Sequence, residues 1–217
     1  MLVQQETGLI VIDVQGKLAR LVDDSDAMID SIATMIRAMQ TLGIPVLFVE
    51  QLPDKLGATV EELNQFIPAG EAFAKATFSA LRTEGIEQQV KALNRSQWLV
   101  CGIEAHICVY QTVIDLLASG KQVHLLSDCV SSRNPANKQL ALQKMQSALA
   151  TITHMNGSIA TETDSQVALG DKVQQQMDEM VRTLQQAVER STLNRETTQK
   201  LAEQMHQLQS LMAQFVI

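Results

Sequence analysis

The sequence predicts an α/β fold, in which a three-layer, doubly wound, mainly parallel sheet is followed by a C-terminal helical extension. Short and nearly continuous apolar runs, rich in β-branched residues, are typical of strands that are buried on both faces. Segments with helical apolar spacing separate these runs, and such βαβ alternation indicates parallel strands. After Ser165 the β-branched runs disappear while helical spacing continues, which predicts the extension.

Four apolar runs are predicted to be strands of one sheet. They are residues 8–12, 45–49, 97–101 and 122–126. The short piece AFAKATFSAL lies between the second and third runs, and it fits either a minor strand or a loop. A further short strand is predicted at residues 158–161, where it would complete the sheet.

Helices are predicted between the strands. One begins near Ser25 and ends at Gly43, because the apolar residues between them share one helical face. A second includes Ile86, and a third opens at Pro135 and would end at Gly157. The preference for right-handed crossovers places these helices on both faces of the sheet.

The C-terminal extension contains two groups of apolar residues at alternating spacings of four and three. The groups are Val173, Met177, Met180, Leu184 and Ala187, then Leu201, Met205, Leu208, Met212 and Phe215. Residues 191–196 interrupt the pattern, so a helical hairpin and one long helix both fit. Such a stripe packs either on the sheet or against another subunit, and we favour the subunit because a long apolar stripe needs a partner surface.

We therefore divide the chain into a domain of residues 1–164 and a helical extension of residues 165–217, and we expect a homo-oligomer, a dimer or larger. A chain of 217 residues with 46% hydrophobic residues has enough apolar side chains for a sizeable core.

Charge and composition exclude several classes of partner. The net charge of -7 gives no basic surface for nucleic acid or anionic membranes. The N-terminus lacks the features of a signal peptide and no apolar segment is long enough to span a membrane, so we expect a cytoplasmic protein. The three cysteines are odd in number and lack metal-site spacing, and a disulfide framework is not expected. A small molecule is the expected substrate.

Polar and nucleophilic residues follow several of the predicted strands. Asp13 ends the first, Glu50 and Gln51 end the second, and the loop after residues 97–101 leads to Cys108. Ligands of open parallel sheets bind at the carboxyl ends of the strands, where these residues should meet Lys75. A thiol with a carboxylate and a cation beside it suits acyl transfer through a thioester. Each residue taken alone also fits a structural role in packing, turns or solvent.

The position of Cys108 bears on its reactivity. A free thiol has a pKa of roughly 8.5, and only the thiolate attacks, so activation is required. A helix is predicted from about residue 105 to residue 119, which places Cys108 in its first turn. Unpaired N–H groups at that position favour negative charge and are suited to form an oxyanion hole.

These residues resemble the isochorismatase-like cysteine hydrolases, a family that includes nicotinamidases and carbamoylsarcosine amidases. The resemblance covers about residues 7–164 and rests on LIVIDVQ, KATFSAL and CGIEAHICVYQTVIDLLASGKQVHLLSDCVSSR, in that order. It implies the family's Rossmann-like sheet topology. It also implies that Asp13 accepts a proton, that Lys75 is the catalytic lysine and that Cys108 is the nucleophile. A cis peptide between Ile103 and Glu104 is implied as well, with the backbone N–H groups of Glu104 and Cys108 as oxyanion donors.

The sequence departs from parts of the family's pattern. Nicotinamidases carry a metal site of Asp and His residues after the second strand, but VEQLPDKLGATVEEL contains no histidine, so neither a metal nor another cofactor is expected. The likeness through GIEAHICV is to an uncharacterised subgroup. Gln15, Gln51 and Phe78 are candidates for substrate binding. Each also has a structural alternative: Gln15 could brace a loop, Gln51 could be exposed to solvent, and Phe78 could pack in the core.

The leading hypothesis from the sequence is a metal-independent cysteine hydrolase of a small amide or related C–N bond. One alternative is an ether or ester hydrolase of the isochorismatase type. The other is a non-catalytic scaffold that assembles through its helical extension.

Overall fold

The computed structural model describes residues 1–214, except for the side chains of residues 152–161, 164 and 209–214. The chain divides into two compact units, Met1–Met155 and Asn156–Ile217. The boundary expected at residue 164, between a hydrolase domain and an extension, stays a prediction.

The first unit contains a five-stranded parallel sheet with the order β3-β2-β1-β4-β5. The strands are β1 (Thr7–Ile12), β2 (Val46–Gln51), β3 (Ala72–Lys75), β4 (Gln97–Gly102) and β5 (Gln122–Val130). All four predicted apolar runs are strands, and the piece that carries Lys75 is a strand as well. Strand order reverses between β1 and β4, which makes the sheet doubly wound.

Helices cover both faces of this sheet. They are α1 (Gly16–Leu21), α2 (Ser25–Thr41), α3 (Pro53–Leu56), α4 (Glu61–Asn64), α5 (Glu84–Ala92), α6 (Tyr110–Ala118) and only the first turns of α7 (Pro135–Gln214). A π-helical turn, Ala105–Val109, precedes α6. The predicted α/β class, with three layers and a helical C-terminal segment, is confirmed.

The alternation of side chains along β1 separates two apolar cores. Leu9 and Val11 point to one face, where they join the buried residues of α2. Ile10 and Ile12 point to the other, where they join α5, α6 and the first turns of α7. Because both faces are covered, β1 is apolar along its whole length rather than at alternate positions.

The strand predicted at residues 158–161 is wrong, because these residues lie within α7. The short β-branched pattern there is flanked on both sides by sequence with helical spacing, and no proline follows Pro135. A glycine inside a helix costs only about 1 kcal/mol relative to alanine, so Gly157 does not end α7. The extension continues this single helix to Gln214, and a hairpin is therefore excluded for residues up to 214.

None of the helices formed by residues 1–214 has both the length and the apolar character needed to cross a membrane.

The end of β4 approaches the end of β1 closely at Gly102. Its φ angle is 122°, and a Cβ atom built there would lie 2.0 Å from the carbonyl oxygen of Ile12. That oxygen accepts a hydrogen bond from the N–H of Ile103 at 2.9 Å. Glycine at this position lets the loop after β4 pass directly beside the residue that follows β1.

We predict that Gly102→Ala destabilises the protein by at least about 2 kcal/mol, because the added methyl group collides with backbone and the φ angle is unfavourable. Denaturant unfolding measures the change. Gly43→Ala is the matched control, because Gly43 has a φ angle of 66° but open space around it. An equal loss of stability in the two variants would contradict the close-approach argument.

Candidate active site

Three residues predicted from the sequence come together at the carboxyl ends of the strands. Asp13 directly follows β1, Lys75 is the last residue of β3, and Cys108 lies in the turn Ala105–Val109 after β4. Asp13 and Cys108 flank the point where strand order reverses, which is the usual ligand site of such sheets, and the side chain of Lys75 reaches Asp13 from the edge strand β3.

A buried ion pair joins Asp13 and Lys75. The Lys75 Nζ atom lies 2.8 Å from Asp13 Oδ2, and both side chains are almost fully inaccessible to solvent. Lys75 Nζ also donates to Gln51 Oε1 at 2.5 Å and to the carbonyl oxygen of Thr77 at 3.1 Å. An ammonium group has three donors, so these partners use its full capacity and fix its position.

The second carboxylate oxygen of Asp13, Oδ1, is buried, and it makes no hydrogen bond of standard geometry within the described part of the chain. The Cys108 thiol is nevertheless close enough to act on the pKa of this carboxyl group as a hydrogen-bond donor. Burial is the main cause of a raised Asp13 pKa, and the opposing effect of Lys75 is smaller. The carboxyl group therefore gains protons at a higher pH than an exposed aspartate does.

The Cys108 thiol interacts with both members of the ion pair. Burial, followed by the negative charge of Asp13, raises its pKa to about 12, while Lys75 acts in the opposite direction. The helix-terminal position was expected to favour the thiolate, but burial outweighs that effect. The raised pKa favours the thiol over the thiolate at neutral pH.

The two candidate glutamines form contacts within the protein. Gln15 Oε1 accepts a hydrogen bond from the Gln51 N–H at 2.6 Å, and Gln15 Nε2 donates to the carbonyl oxygen of Gly57 at 2.6 Å. Gln15 thus braces the segment after β2, which is the structural role predicted from the sequence as the alternative to substrate binding. The Gln51 side chain contacts Lys75, a positioning contact that the sequence did not indicate.

A cavity of about 470 Å³ lies beside Lys75. Its lining consists of Leu52, Pro53, Asp54, Ala74, Lys75, Ala76, Thr77, Arg82 and Thr83. Phe78 follows this lining segment and is 56% exposed, so it is not the core residue that one interpretation expected. Neither Asp13 nor Cys108 belongs to this lining, so the cavity adjoins the candidate site through Lys75 alone.

The loop between β4 and α6 is held by a charged network. The peptide bond between Ile103 and Glu104 is cis. The buried Glu104 carboxylate accepts hydrogen bonds from Arg133 Nε at 2.5 Å and from the Arg133 backbone N–H at 3.2 Å. His106 Nδ1 lies 3.5 Å from the same carboxylate. The contact of Arg133 with Glu104 was not predicted from the sequence. Arg133 is the last residue of the CGIEAHICV…SSR motif, and it lies after β5, the strand next to β4.

Among the residues whose side chains are described, no cluster of three or more His, Cys, Asp or Glu residues is arranged to hold a metal ion.

Comparison with known proteins identifies the family. The isochorismatase domain family matches residues 7–156. The "Secreted isochorismatase effector Isc1" of Phytophthora sojae is 35% identical over 163 residues, which cover 73% of this chain and 77% of that protein.

Two solved structures share the fold. The "MAR1 Ribonuclease" from Caenorhabditis elegans has a TM-score of 0.63 and 33% identity over 68% of this chain and 76% of its own. The YcaC gene product of Escherichia coli, described as an octameric hydrolase of unknown specificity, has a TM-score of 0.64 and 20% identity over 68% and 74%.

The fold and these similarities define a hydrolase with a doubly wound α/β fold, and the chain belongs to the isochorismatase family.

We predict that Lys75→Gln slows alkylation of Cys108, about tenfold for each pKa unit by which the substitution raises the pKa of the thiol. Lys75 lowers the pKa of the thiol, so its removal raises that pKa, and one pKa unit is a tenfold change in thiolate. Iodoacetamide labelling followed from pH 7 to 10 measures the rate. Lys91→Gln, at an exposed lysine paired with Glu87, serves as the control. An unchanged or faster rate in Lys75→Gln would refute the electrostatic role.

Proposed function

We propose that this protein hydrolyses a small amide or related C–N bond through a thioester on Cys108, with Asp13 as the base and Lys75 as the supporting cation. The observation that carries the proposal is a buried thiol that interacts with a buried, ion-paired carboxylate. Membership of a hydrolase family supports the reaction class.

In the first half of the reaction, Cys108 Sγ attacks the carbonyl carbon while Asp13 accepts the thiol proton. The carbonyl electron pair moves to oxygen, and the backbone N–H groups of Glu104 and Cys108 stabilise the oxyanion. The tetrahedral intermediate collapses as Asp13 returns the proton to nitrogen. Ammonia or an amine leaves, and a thioester remains.

In the second half, Asp13 removes a proton from water, and the resulting hydroxide attacks the thioester carbonyl. Collapse of this intermediate releases the carboxylic acid, and Asp13 returns the proton to sulfur. Lys75 stabilises the ionised form of Asp13 in both half-reactions, because its positive charge opposes the effect of burial on the pKa.

The raised pKa of Cys108 suits this scheme. Proton transfer from a thiol of pKa about 12 to a carboxylate is unfavourable in the free protein. It becomes favourable when the new C–S bond and the oxyanion donors take up the negative charge. The resting thiol is thereby protected from unspecific alkylation and oxidation.

Two positioning roles complete the proposal. Gln51 restrains the Lys75 ammonium group, and Gln15 holds the backbone of Gln51. Arg133 holds the Glu104 carboxylate and so restrains the loop that carries the oxyanion donors. Phe78 is exposed and follows Thr77 of the cavity lining, and we propose it as a substrate contact.

The alternative substrates are ethers or esters of the isochorismatase type. The C. elegans relative is described as a ribonuclease, but we propose a small molecule because the net charge of -7 disfavours RNA. A panel of amides, esters, enol ethers and RNA under identical conditions separates these classes. The three free, buried cysteines support a reducing compartment, and we propose the cytoplasm.

We predict that Cys108→Ser and Asp13→Asn each reduce turnover of the best panel amide by at least about 100-fold. General acid–base catalysis alone contributes about 100- to 10,000-fold, and the nucleophile is needed for both half-reactions. Ammonia release measures turnover. Cys129→Ala, at another buried free cysteine, should retain most activity. Wild-type rates in Cys108→Ser would eliminate the thioester mechanism.

We predict that kcat/KM falls on the acid side with a midpoint above pH 3.8. Asp13 accepts the proton only when it is ionised, and its pKa lies above the ordinary value of 3.8. Lowering the pH through this raised pKa protonates the base, so activity is lost below it and retained above it. A pH profile corrected for unfolding tests the sign; a flat profile down to pH 4 would show that Asp13 is not the base.

A further inference from the structure

We propose that residues 173–208 of α7 form an antiparallel coiled coil with a second copy of this chain. The basis is one unbroken heptad register whose layers match in either orientation, together with flanking positive charges that face each other only in the parallel orientation.

An apolar face lies exposed along this part of α7. Its large residues are between 48% and 65% exposed, and they are Val173, Met177, Met180, Leu184, Leu201, Met205 and Leu208. An apolar face of this length is unusual in a protein surface and indicates an interface.

The two apolar groups of the extension belong to one seam. Because α7 is a single helix, the alternating steps of four and three continue from Leu184 through Ala187, Ser191, Asn194 and Thr198 to Leu201. Residues 191–196 interrupt the apolar pattern but not the heptad register, because polar side chains occupy the a and d positions there. Residues spaced in this way form the a and d positions of a coiled coil.

The seam matches itself under a two-fold rotation. With antiparallel helices centred between Thr192 and Leu193, Leu184 meets the partner's Leu201. In the same register Met180 meets the partner's Met205, and Ser191 meets the partner's Asn194. The layers of large apolar residues thus pair with one another, Ser191 pairs with Asn194, and the small Ala187 meets the partner's Thr198. Buried polar positions of this kind set register and partner number in coiled coils.

Charges beside the seam select the antiparallel orientation. Arg190 occupies a g position and Arg195 an e position. In a parallel dimer Arg190 would face the partner's Arg195 twice, and like charges there are destabilising. In the antiparallel dimer Arg190 faces the partner's Thr197, and Arg195 faces the partner's Val188.

A membrane surface fits this apolar face less well than a second copy of the chain does. Helices that bind anionic lipid surfaces are rich in Lys and Arg on their polar side. Residues 173–208 contain four basic and five acidic residues. A second copy, which supplies the same seam, satisfies the apolar face without that charge requirement.

Cysteine cross-linking tests both partner and orientation. Leu184→Cys and Leu201→Cys chains are coexpressed with different tags and oxidised. We expect a disulfide-linked dimer that carries both tags, and no dimer of either variant expressed alone, because like positions lie far apart in the antiparallel register. Met180→Cys with Met205→Cys is a second pair that tests the adjacent layer.

The matched control is Gln185→Cys with Gln199→Cys, since these positions lie outside the seam and should not cross-link. Iodoacetamide labelling of Cys108 that is as slow in each variant as in the unsubstituted protein verifies that the first unit is folded. Self-linked dimers of the single variants would establish a parallel pairing and overturn the proposal. Absence of the two-tag dimer from both pairs would likewise overturn it.

Discussion

The ion pair between Asp13 and Lys75 is the interaction on which the candidate site depends. Two charged groups are nearly removed from solvent, and each is tolerated there because the other is within 2.8 Å. Removing one partner of such a pair commonly costs about 3 to 5 kcal/mol, since the remaining charge is left buried. The pair also keeps a carboxylate in contact with a thiol that burial would otherwise isolate from any base.

The carboxyl ends of four strands position these groups. Asp13 follows β1, Gln51 ends β2 and Lys75 ends β3. Gly102, at the end of β4, allows the loop that leads to Cys108 to pass close to the backbone of β1. Strands β1, β2 and β4 are mostly buried, so the positions of their last residues are fixed by core packing rather than by the loops, and Lys75 is the buried last residue of the more exposed strand β3. The rigid element ends thus determine the geometry, and the Gln15 and Arg133 contacts restrain the adjoining loops.

Much of this arrangement could be predicted from the sequence, because it depends on rules of topology. Parallel strands bring their carboxyl ends to one edge, so Asp13, Lys75 and Cys108 could be expected together without knowledge of their side-chain contacts. The hydrogen bond between Gln51 and Lys75 could not be predicted, since it depends on the rotamers of residues in different strands. The strand expected at residues 158–161 failed because a four-residue β pattern was judged without the long helical context on either side. The continuous seam of α7 was hidden by the polar residues at its centre, which look like a break until a single helix is seen.

The most direct test of the account is whether an acyl group becomes attached to Cys108 during turnover. Intact-protein and peptide mass spectrometry of acid-quenched reactions, with the best amide of the substrate panel, makes this measurement. The account predicts a mass increase equal to the acyl group, confined to the peptide that contains Cys108 and absent from the Asp13→Asn variant. An adduct on another residue, or rapid turnover of the amide with none on Cys108 under conditions that slow deacylation, would contradict it.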